Sequence, residues 1–274
     1  MNLNVIAGML AFFSGTLMAN SHTCPEIHQT AKQSTINGQS DIPQTAFAVA
    51  NQKRVPFYSA PDADCKIEGR YVVAGDSLRA YKHYGEYTYV SYTSVKGENI
   101  PGWVSTSALN DYSPNRAKPR QHTLSDTDFI VVGQARWFGL GSSWSRTFAA
   151  LSDQEIASGY IGDFPNELGG LNKFSSHEYA GLRVVSSNLD YDKRLWGIDD
   201  DYIIQAITVT STGYKTTRGI GVGDTLEEVY HAYNGIAAVK TPDTLSYFVN
   251  NQSLSFTIAH GKVASVDMAW RNQE

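Results

Sequence analysis

Histidines are the side chains best suited to acid–base or metal chemistry near neutral pH, and their spacing in this chain supports neither role. They are His22, His28, His83, His122, His177, His231 and His260. None stands in a His-Glu-x-x-His segment, and no Gly-x-Ser-x-Gly segment supplies a nucleophilic serine at a strand-to-helix turn. His177 and Glu178 could form a hydrolase pair with His231, but the sequence shows no nucleophile beside them. The sequence therefore predicts no catalytic residue and no metal ligand.

A glycine-rich segment, 219–223, is the second place where chemistry could occur. It lies between a predicted strand, 203–210, and a predicted helix capped by Asp224 or Thr225. Backbone N–H groups at such a junction can bind phosphate. The last glycine of the G-x-G-x-x-G pattern is absent, and no Gly-Lys-Ser/Thr follows. The segment is therefore interpreted as a turn into a helix, and no cofactor is expected.

An aspartate run, 199–201, is a weaker candidate for binding calcium. It lacks the alternating spacing of a calcium-binding loop, so a solvated turn is the favoured interpretation.

Aromatic side chains are the remaining candidates for a binding site, because they concentrate where proteins bind peptides, sugars or other proteins. The candidates are Tyr84, Tyr87, Tyr89, Trp103, Trp137, Trp144, Tyr160 and Trp196. The first four belong to a larger tyrosine-rich set between residues 81 and 103, where packing within a small sheet is favoured over an open groove. For the last four, an interface and core packing are equally compatible with the sequence.

Composition indicates a folded, β-rich chain of two domains. It has 274 residues, of which 42% are hydrophobic and 18% charged, together with 16 tyrosines and 23 glycines. The net charge of −5 argues against sequence-independent binding to nucleic acid, which requires clustered Lys and Arg. A mildly acidic surface permits a basic protein partner.

The N-terminus has the features of an export signal spanning residues 1–21. Its apolar run, 5–18, is too short to span a bilayer comfortably, and small residues precede His22 at the expected cleavage site. We therefore expect a periplasmic or secreted protein with no integral membrane segment after cleavage. A lipid anchor on Cys24 is the alternative, and it is disfavoured because Thr23 precedes the cysteine.

Two cysteines, Cys24 and Cys65, are expected to form a disulfide in an oxidising compartment. Zinc binding is disfavoured because no C-x-x-C partner set is present. A reactive thiol would need a base held beside it.

The segment 44–110 contains four motifs in a recognisable order. They are Phe-Tyr-Ser-Ala-Pro at 57–61, Gly-Asp-Ser-Leu at 75–78, Tyr-Thr-Tyr-Val at 87–90 and Gly-Trp-Val-Ser at 102–105. On these motifs the segment resembles the bacterial SH3 (SH3b) family, although Lys-Arg-Val-Pro-Phe replaces the family's usual Leu-Asn-Val-Arg run. The resemblance implies a small β-barrel that binds cell-wall peptides or other proteins. An extended lead-in, 22–43, with at most a short helix near residues 26–32, precedes this segment, and a linker, 111–122, follows it.

The remaining segment, 123–274, is expected to form an α+β domain. Strands are predicted at 128–137, 181–186, 203–210, 244–249, 254–259 and 263–270, with short helices after Gly139 and after Gly223 and irregular structure over 152–180. The recurring order of glycine turn, helix and strands suggests two related helix-plus-meander units.

The glycine turn and helix at 219–233 and the Leu-x-Phe-x-Ile segment that begins at Leu254 carry a second resemblance. They are similar to β-lactamase-inhibitor-protein-like and outer-membrane assembly lipoprotein-like modules. This resemblance implies helices packed on an antiparallel sheet that binds proteins and performs no chemistry.

These observations favour a non-catalytic exported binding protein, which recognises a protein partner in the periplasm as an inhibitor or immunity protein does. The first alternative is a peptidoglycan-binding protein. The second is a hydrolase whose site is assembled from distant residues, and it predicts that a histidine and a carboxylate converge in the fold. The binding site is expected on the open face of 244–270 or in the segment 152–201.

Overall fold

The computed structural model describes residues 22–34, 46–114, 119–120, 122–133, 136–148, 154–165, 170–188 and 202–270. Its helices are α1 (Cys24–Gln33), α2 (Trp144–Phe148) and α3 (Leu226–Ala232). Its strands are β1 (Phe47–Ala50), β2 (Val55–Tyr58), β3 (Lys66–Val72), β4 (Ser77–Tyr84), β5 (Tyr87–Thr93), β6 (Asn99–Ser105), β7 (Leu109–Asp111), β8 (Ile130–Gly133), β9 (Arg136–Gly139), β10 (Ala157–Pro165), β11 (Leu171–Tyr179), β12 (Leu182–Ser187), β13 (Ile203–Val209), β14 (Tyr214–Thr216), β15 (Ala238–Lys240), β16 (Thr244–Val249), β17 (Gln252–Ala259) and β18 (Lys262–Trp270). The predicted export signal, the aspartate run 199–201 and Trp196 lie outside the described residues.

The first sheet contains β1 to β7 in the order β3-β2-β6-β5-β4-β1-β7. Its neighbouring strands pair antiparallel. Alternating apolar residues point into a core of its own, which includes Val55, Phe57, Leu78 and Val90. This sheet covers the segment for which the SH3 resemblance was stated, and membership of that family stays a prediction.

The rest of the chain forms a small sheet, β14-β8-β9, and a large sheet in the order β10-β11-β12-β13-β18-β17-β16-β15. The order of the large sheet is symmetric about its central pair, β13 and β18, which run antiparallel. We call α2 with β10 to β13 the first half, and α3 with β15 to β18 the second half. Within each half, the four strands follow one another along the sheet in chain order.

The predicted layer of helices on an antiparallel sheet is wrong. In the described part of segment 123–274, α2 has five residues and α3 has seven, and the small sheet supplies apolar side chains to the same core as the large sheet. A glycine turn precedes each helix, and α3 ends at Ala232 just before Asn234 and Gly235. The apolar spacing therefore continues for about two turns, which is too short to cover a sheet of eight strands.

The prediction of irregular structure over 152–180 is also wrong, because β10 and β11 occupy most of it. The glycines that suggested a loop lie in an exposed terminal strand, where a missing side chain loses little packing. Gly162 has φ of +151° and lies at a β-bulge.

The two halves share a hydrogen-bonding pattern between the turn before the helix and the last strand of the half, which is β13 in the first half and β18 in the second. In the first half, Gly141 N–H donates to the Ile204 carbonyl at 2.8 Å. In the second half, Gly223 N–H donates to the Val263 carbonyl, also at 2.8 Å. Ile204 and Val263 therefore occupy equivalent positions. The origin of the halves in a tandem duplication stays a prediction.

The correspondence extends to a bulge in each half. Ile204 on β13 pairs with Ser186 on β12, and the register shifts by one residue beside this pair. Val263 on β18 pairs with Ile258 on β17, and the same shift lies beside that pair. Ser186 and Ile258 are therefore equivalent residues.

A buried ion pair joins the first sheet to the rest of the molecule. Arg79 on β4 is 2% exposed, and its Nη2 lies 3.5 Å from Oδ1 of Asp126. Its Nη1 donates to the Leu140 carbonyl, and its guanidinium lies 5.0 Å from the ring centroids of Phe47 and Trp270. Arg79 thus contacts three parts of the molecule. These are the first sheet at Phe47, the turn after β9 at Leu140, and β18 of the large sheet at Trp270.

Two further side chains donate hydrogen bonds to the Asp126 carboxylate. Thr93 Oγ1 donates to Oδ2 at 3.0 Å, and Gln252 Nε2 donates to Oδ1 at 3.1 Å. A buried carboxylate needs such donors because it has lost its hydration. Gly141, with φ of +85°, leaves the space that the Arg79 guanidinium occupies, since a Cβ there would collide with Nη1.

A second buried ion pair explains the position of the glycine-rich segment. Arg218, which immediately precedes it, donates from Nε to Oδ1 of the fully buried Asp128 at 2.6 Å. Its Nη groups also donate to the carbonyls of Ala232 at 3.2 Å and Thr123 at 2.9 Å. The turn and the end of α3 are therefore held to residues 123–128.

Loss of the Asp126 charge will destabilise the fold, because Arg79 would remain buried without its counter-ion. We expect Asp126→Asn to lower the free energy of unfolding by about 3–5 kcal/mol in urea denaturation. Glu68→Gln is the matched control, since Glu68 pairs with Lys66 on the surface at 3.4 Å. That exposed pair should contribute no more than about 1 kcal/mol. Equal, small losses for both variants would contradict the importance of the buried pair.

Candidate functional site

The aromatic set of the first sheet forms one packed cluster. Trp103 is fully buried, and its ring lies 5.2 Å from Tyr89 and 6.4 Å from Tyr84. Tyr87 contacts a different neighbour, Tyr58, at 5.2 Å. The structure therefore brings together three of the four candidates that the sequence identified in this region.

Helix α1 covers this aromatic cluster. His28 accepts a hydrogen bond at Nδ1 from Trp103 Nε1 at 2.9 Å, and its ring packs edge-on against Tyr89 at 5.7 Å. Lys32 Nζ lies 5.5 Å from the centroid of the Tyr89 ring, and Ala31 is fully buried. The aromatic cluster is thus closed by the chain's own helix.

The helix is held at both of its ends. The predicted disulfide between Cys24 and Cys65 is confirmed, with their Cα atoms 5.7 Å apart. At the other end, Lys82 Nζ donates to the carbonyls of Lys32, at 3.0 Å, and Ser34. By the loop-entropy model, closing a loop of this size stabilises the fold by about 3–4 kcal/mol.

A second group of side chains, which we call the polar cluster, consists of Glu155, His177 and Ser186. His177 lies between the other two, with Nδ1 2.7 Å from Glu155 Oε1 and Nε2 2.9 Å from Ser186 Oγ. Because the Glu155 carboxylate can only accept, Nδ1 carries a hydrogen and donates a hydrogen bond to Glu155 Oε1. With the imidazole neutral, Nε2 is then free to accept a hydrogen bond from the Ser186 hydroxyl.

Three separate segments position the polar cluster. Glu155 precedes β10, His177 lies on β11, and Ser186 lies on β12 beside the bulge. The neighbouring strands pair in a register that places His177 opposite Val184, two residues before Ser186. Successive residues of a strand alternate between its two faces, so Val184 and Ser186 share the core-facing side.

Aromatic rings cover the histidine of the polar cluster. Trp144, at the start of α2, stacks on the His177 ring with centroids 3.7 Å apart and an interplanar angle of 23°. Phe148 stacks in turn on Trp144 at 4.4 Å and contacts Tyr179 at 5.3 Å. Burial raises the pKa of Tyr179 to about 12. Trp144, which the sequence identified as an interface candidate, therefore limits access to His177.

The hydrolase pairing considered from the sequence does not form. Glu178 accepts from Arg183 Nε at 2.9 Å instead of contacting His177, and His231 lies on α3 in the other half of the large sheet. Sequence reasoning missed Glu155 and Ser186 because they lie 22 and 9 residues from His177. The available signal was Ser186 at the end of the predicted strand 181–186, whereas His177 lay in the segment that was predicted to be irregular.

The other two described candidates lie apart from the polar cluster. Trp137 is half-buried and packs against Tyr112 at 5.0 Å and Phe47 at 6.3 Å, so it belongs to the junction between the first and small sheets. Tyr160 lies on β10 and is 65% exposed.

Tyr160 is one of five exposed apolar side chains on the hairpin of β10 and β11, which we together call the hairpin surface. Its members are Ile156, Tyr160, Ile161, Phe164 and Leu171, with exposures between 43% and 70%. Among the described strands, β10 is the last in the order of the large sheet. Its outer backbone groups therefore face away from β11.

Among the residues that the structure describes, no three His, Cys, Asp or Glu side chains are grouped so that they could hold a metal ion. None of the helices described is long and apolar enough to cross a bilayer.

Acidification should weaken the contact of α1 with the aromatic cluster. Burial, followed by the charge of Lys32, lowers the pKa of His28 from its ordinary value of 6.5. This contribution is therefore present above pH 6.5 and is lost as the pH falls through the lowered pKa, where protonated Nδ1 can no longer accept from Trp103. We expect tryptophan emission to shift to longer wavelength in this acidic range.

His28→Gln provides the control, because its amide does not titrate. This variant should lack the acidic fluorescence transition, and an unchanged transition would assign the effect to another group.

Comparison with known proteins leaves the chain without an assigned family. No protein-family model matches it, and no curated protein matches it.

Proposed function

We propose that this protein is an exported binding protein that recognises a partner protein through the hairpin surface. The observation that carries the proposal is the exposure of β10, in which eight of nine residues are exposed and the ninth is half-buried. Several large apolar side chains that are exposed on one hairpin are typical of an interaction site.

An extended segment of the partner is the occupant that this surface fits best. The inner edge of β10 is paired with β11 from Ala157 to Pro165, whereas no described strand pairs with its outer edge. An unpaired edge can accept a further strand, with backbone hydrogen bonds supplying affinity and side chains supplying specificity. The bulge between Tyr160 and Gly162 interrupts the ladder, so the added strand would be short.

Aromatic and branched side chains beside the bulge would supply most of the binding energy. Tyr160 and Ile161 are 65% and 44% exposed and lie next to one another at the bulge. Phe164 is braced by an edge-on contact with Phe174 at 5.2 Å, so it loses little freedom on binding. Such side chains dominate protein interfaces.

Two further observations support an exported protein whose ligand is a protein and not peptidoglycan. The disulfide is compatible with a periplasmic or secreted location, where disulfides persist. Helix α1 covers the aromatic cluster of the first sheet, which disfavours that cluster as a ready peptidoglycan site. An inhibitor or immunity role, in which the partner is an enzyme or toxin, is the form of binding that we favour.

Removal of the two side chains at the bulge should reduce partner binding selectively. We expect Tyr160→Ser with Ile161→Ser to weaken capture of the partner from a periplasmic extract by about 30-fold, as loss of an interface anchor does. Val239→Ser is the matched control, because Val239 is 57% exposed on β15 at the opposite edge of the large sheet. Its capture of the partner should equal that of the unmodified protein.

Sedimentation with purified peptidoglycan distinguishes binding of a partner protein from the rival function, which is peptidoglycan binding. Retention on peptidoglycan alone, unchanged by the double substitution in β10, would contradict the proposal.

A further inference from the structure

The symmetry of the large sheet provides an internal reference for the polar cluster. Ser186 in the first half is equivalent to Ile258 in the second, as the paired bulges show. Two residues earlier on each of these strands, the residue directly across is His177 in the first half and Leu245 in the second. Two of the three residues of the polar cluster, His177 and Ser186, therefore occupy positions that are apolar in the other half.

The second half shows what these positions do when they serve only the fold. Leu245 is 2% exposed within the main core, and Ile258 packs against that core. The sheet and its bulge form there with apolar side chains at both of these positions. Burying Ser186 and most of His177 instead requires their polar atoms to be paired, which is costly without a compensating role.

We propose that Glu155, His177 and Ser186 form a serine nucleophile site that hydrolyses small carboxylic esters. The two distances of 2.7 and 2.9 Å place a carboxylate, an imidazole and a hydroxyl in the order used by serine hydrolases. Ser186 would be the nucleophile and His177 the general base, while Glu155 would be the positioning residue that holds Nδ1–H. This activity goes beyond the binding function and does not depend on it.

The reaction is balanced with water as the only co-reactant. Ser186 Oγ forms a bond to the ester carbonyl carbon while His177 Nε2 takes the hydroxyl proton. The bond from that carbon to the alkoxy oxygen breaks, and the leaving oxygen takes the proton from Nε2 to give an alcohol. Water then attacks the acyl-serine, giving its proton to Nε2. The bond from Oγ to the acyl carbon breaks, a carboxylic acid leaves, and the proton returns to Ser186.

Access to Ser186 determines which esters could react. Ser186 is 1% exposed, and the side chains of His177 and Glu155 are 12% and 24% exposed. The imidazole and carboxylate thus reach the surface while the hydroxyl lies beneath it. Since Trp144 covers the His177 ring, a substrate must be small and must displace this indole. Trp144→Ala should therefore increase the reaction rate.

A fluorophosphonate probe tests the nucleophile directly in the full-length protein. Ser186 Oγ would form a bond to phosphorus, the P–F bond would break, and fluoride would leave as the hydroxyl proton passes to His177. We expect one adduct by intact mass spectrometry, located on Ser186 by peptide mapping. Ser186→Ala should abolish it, and His177→Gln should slow its formation by at least about 100-fold.

Matched controls separate reaction at the cluster from general reactivity. Ser176→Ala removes a hydroxyl on the neighbouring strand, β11. This hydroxyl donates to the Gly159 carbonyl at 3.3 Å, so its loss should leave labelling of Ser186 unchanged. Glu155→Gln should retain the nucleophile but alter the pH dependence of labelling, because an amide no longer stabilises the protonated imidazole. Hydrolysis of p-nitrophenyl acetate should follow the same order among the variants.

The outcome that overturns the proposal is equally direct. If neither the unmodified protein nor folded Trp144→Ala acquires an adduct on Ser186, the cluster is not a nucleophile site. Loss of partner capture in the β10 variant, with unchanged labelling of Ser186, would leave this inference intact while testing the binding function separately.

Discussion

The buried contact between Arg79 and Asp126 is the constraint on which the arrangement of the molecule depends. Each sheet could bury its own apolar side chains in several relative orientations, but a desolvated guanidinium must keep its carboxylate and carbonyl partners. Arg79 contacts the carbonyl of Leu140 and fills the space beside Gly141. That turn leads directly into α2, which places Trp144 over His177. The geometry of the polar cluster is therefore linked to the junction between the sheets.

The two halves of the large sheet share one apolar core but differ in their polar and exposed side chains. In the second half, Tyr233 stacks on Tyr247 at 4.7 Å within this core. The first half carries the exposed β10 hairpin and the polar cluster, although it shares the same bulge and the same turn-to-strand hydrogen bonds. Because the shared pattern forms with apolar residues in the second half, polar residues are not needed to specify it.

The sequence predicted the features that depend on local pattern. Alternation over residues 87–92 predicted a strand, which is present as β5 (Tyr87–Thr93), and the cysteine pair led to a correct disulfide. The layer of helices was predicted wrongly because apolar spacing indicates which face of a helix is buried but not how long the helix is. The hairpin of β10 and β11 was missed because glycine and proline indicate loops unless the strand is an exposed edge.

The candidate site was beyond sequence reasoning for a different reason. Its three side chains come from separate segments, and the register between β11 and β12 sets which residue of β12 lies near His177. Register and bulge position are decided by pairing between strands, which no local pattern specifies. The position of α1 on the aromatic cluster has the same origin, because it depends on contacts with Trp103 and Tyr89 across distant parts of the chain.

The central claim is that the polar cluster is present for function and that the fold does not need it. Replacing His177 by Leu and Ser186 by Ile gives the first half the residues of the second half. Urea denaturation of this double variant tests the claim most directly. The account predicts that the free energy of unfolding stays the same or increases, by up to about 4 kcal/mol, as when buried polar groups are replaced by packed apolar ones. A decrease of about 3 kcal/mol or more would contradict it and identify the cluster as part of the structural core.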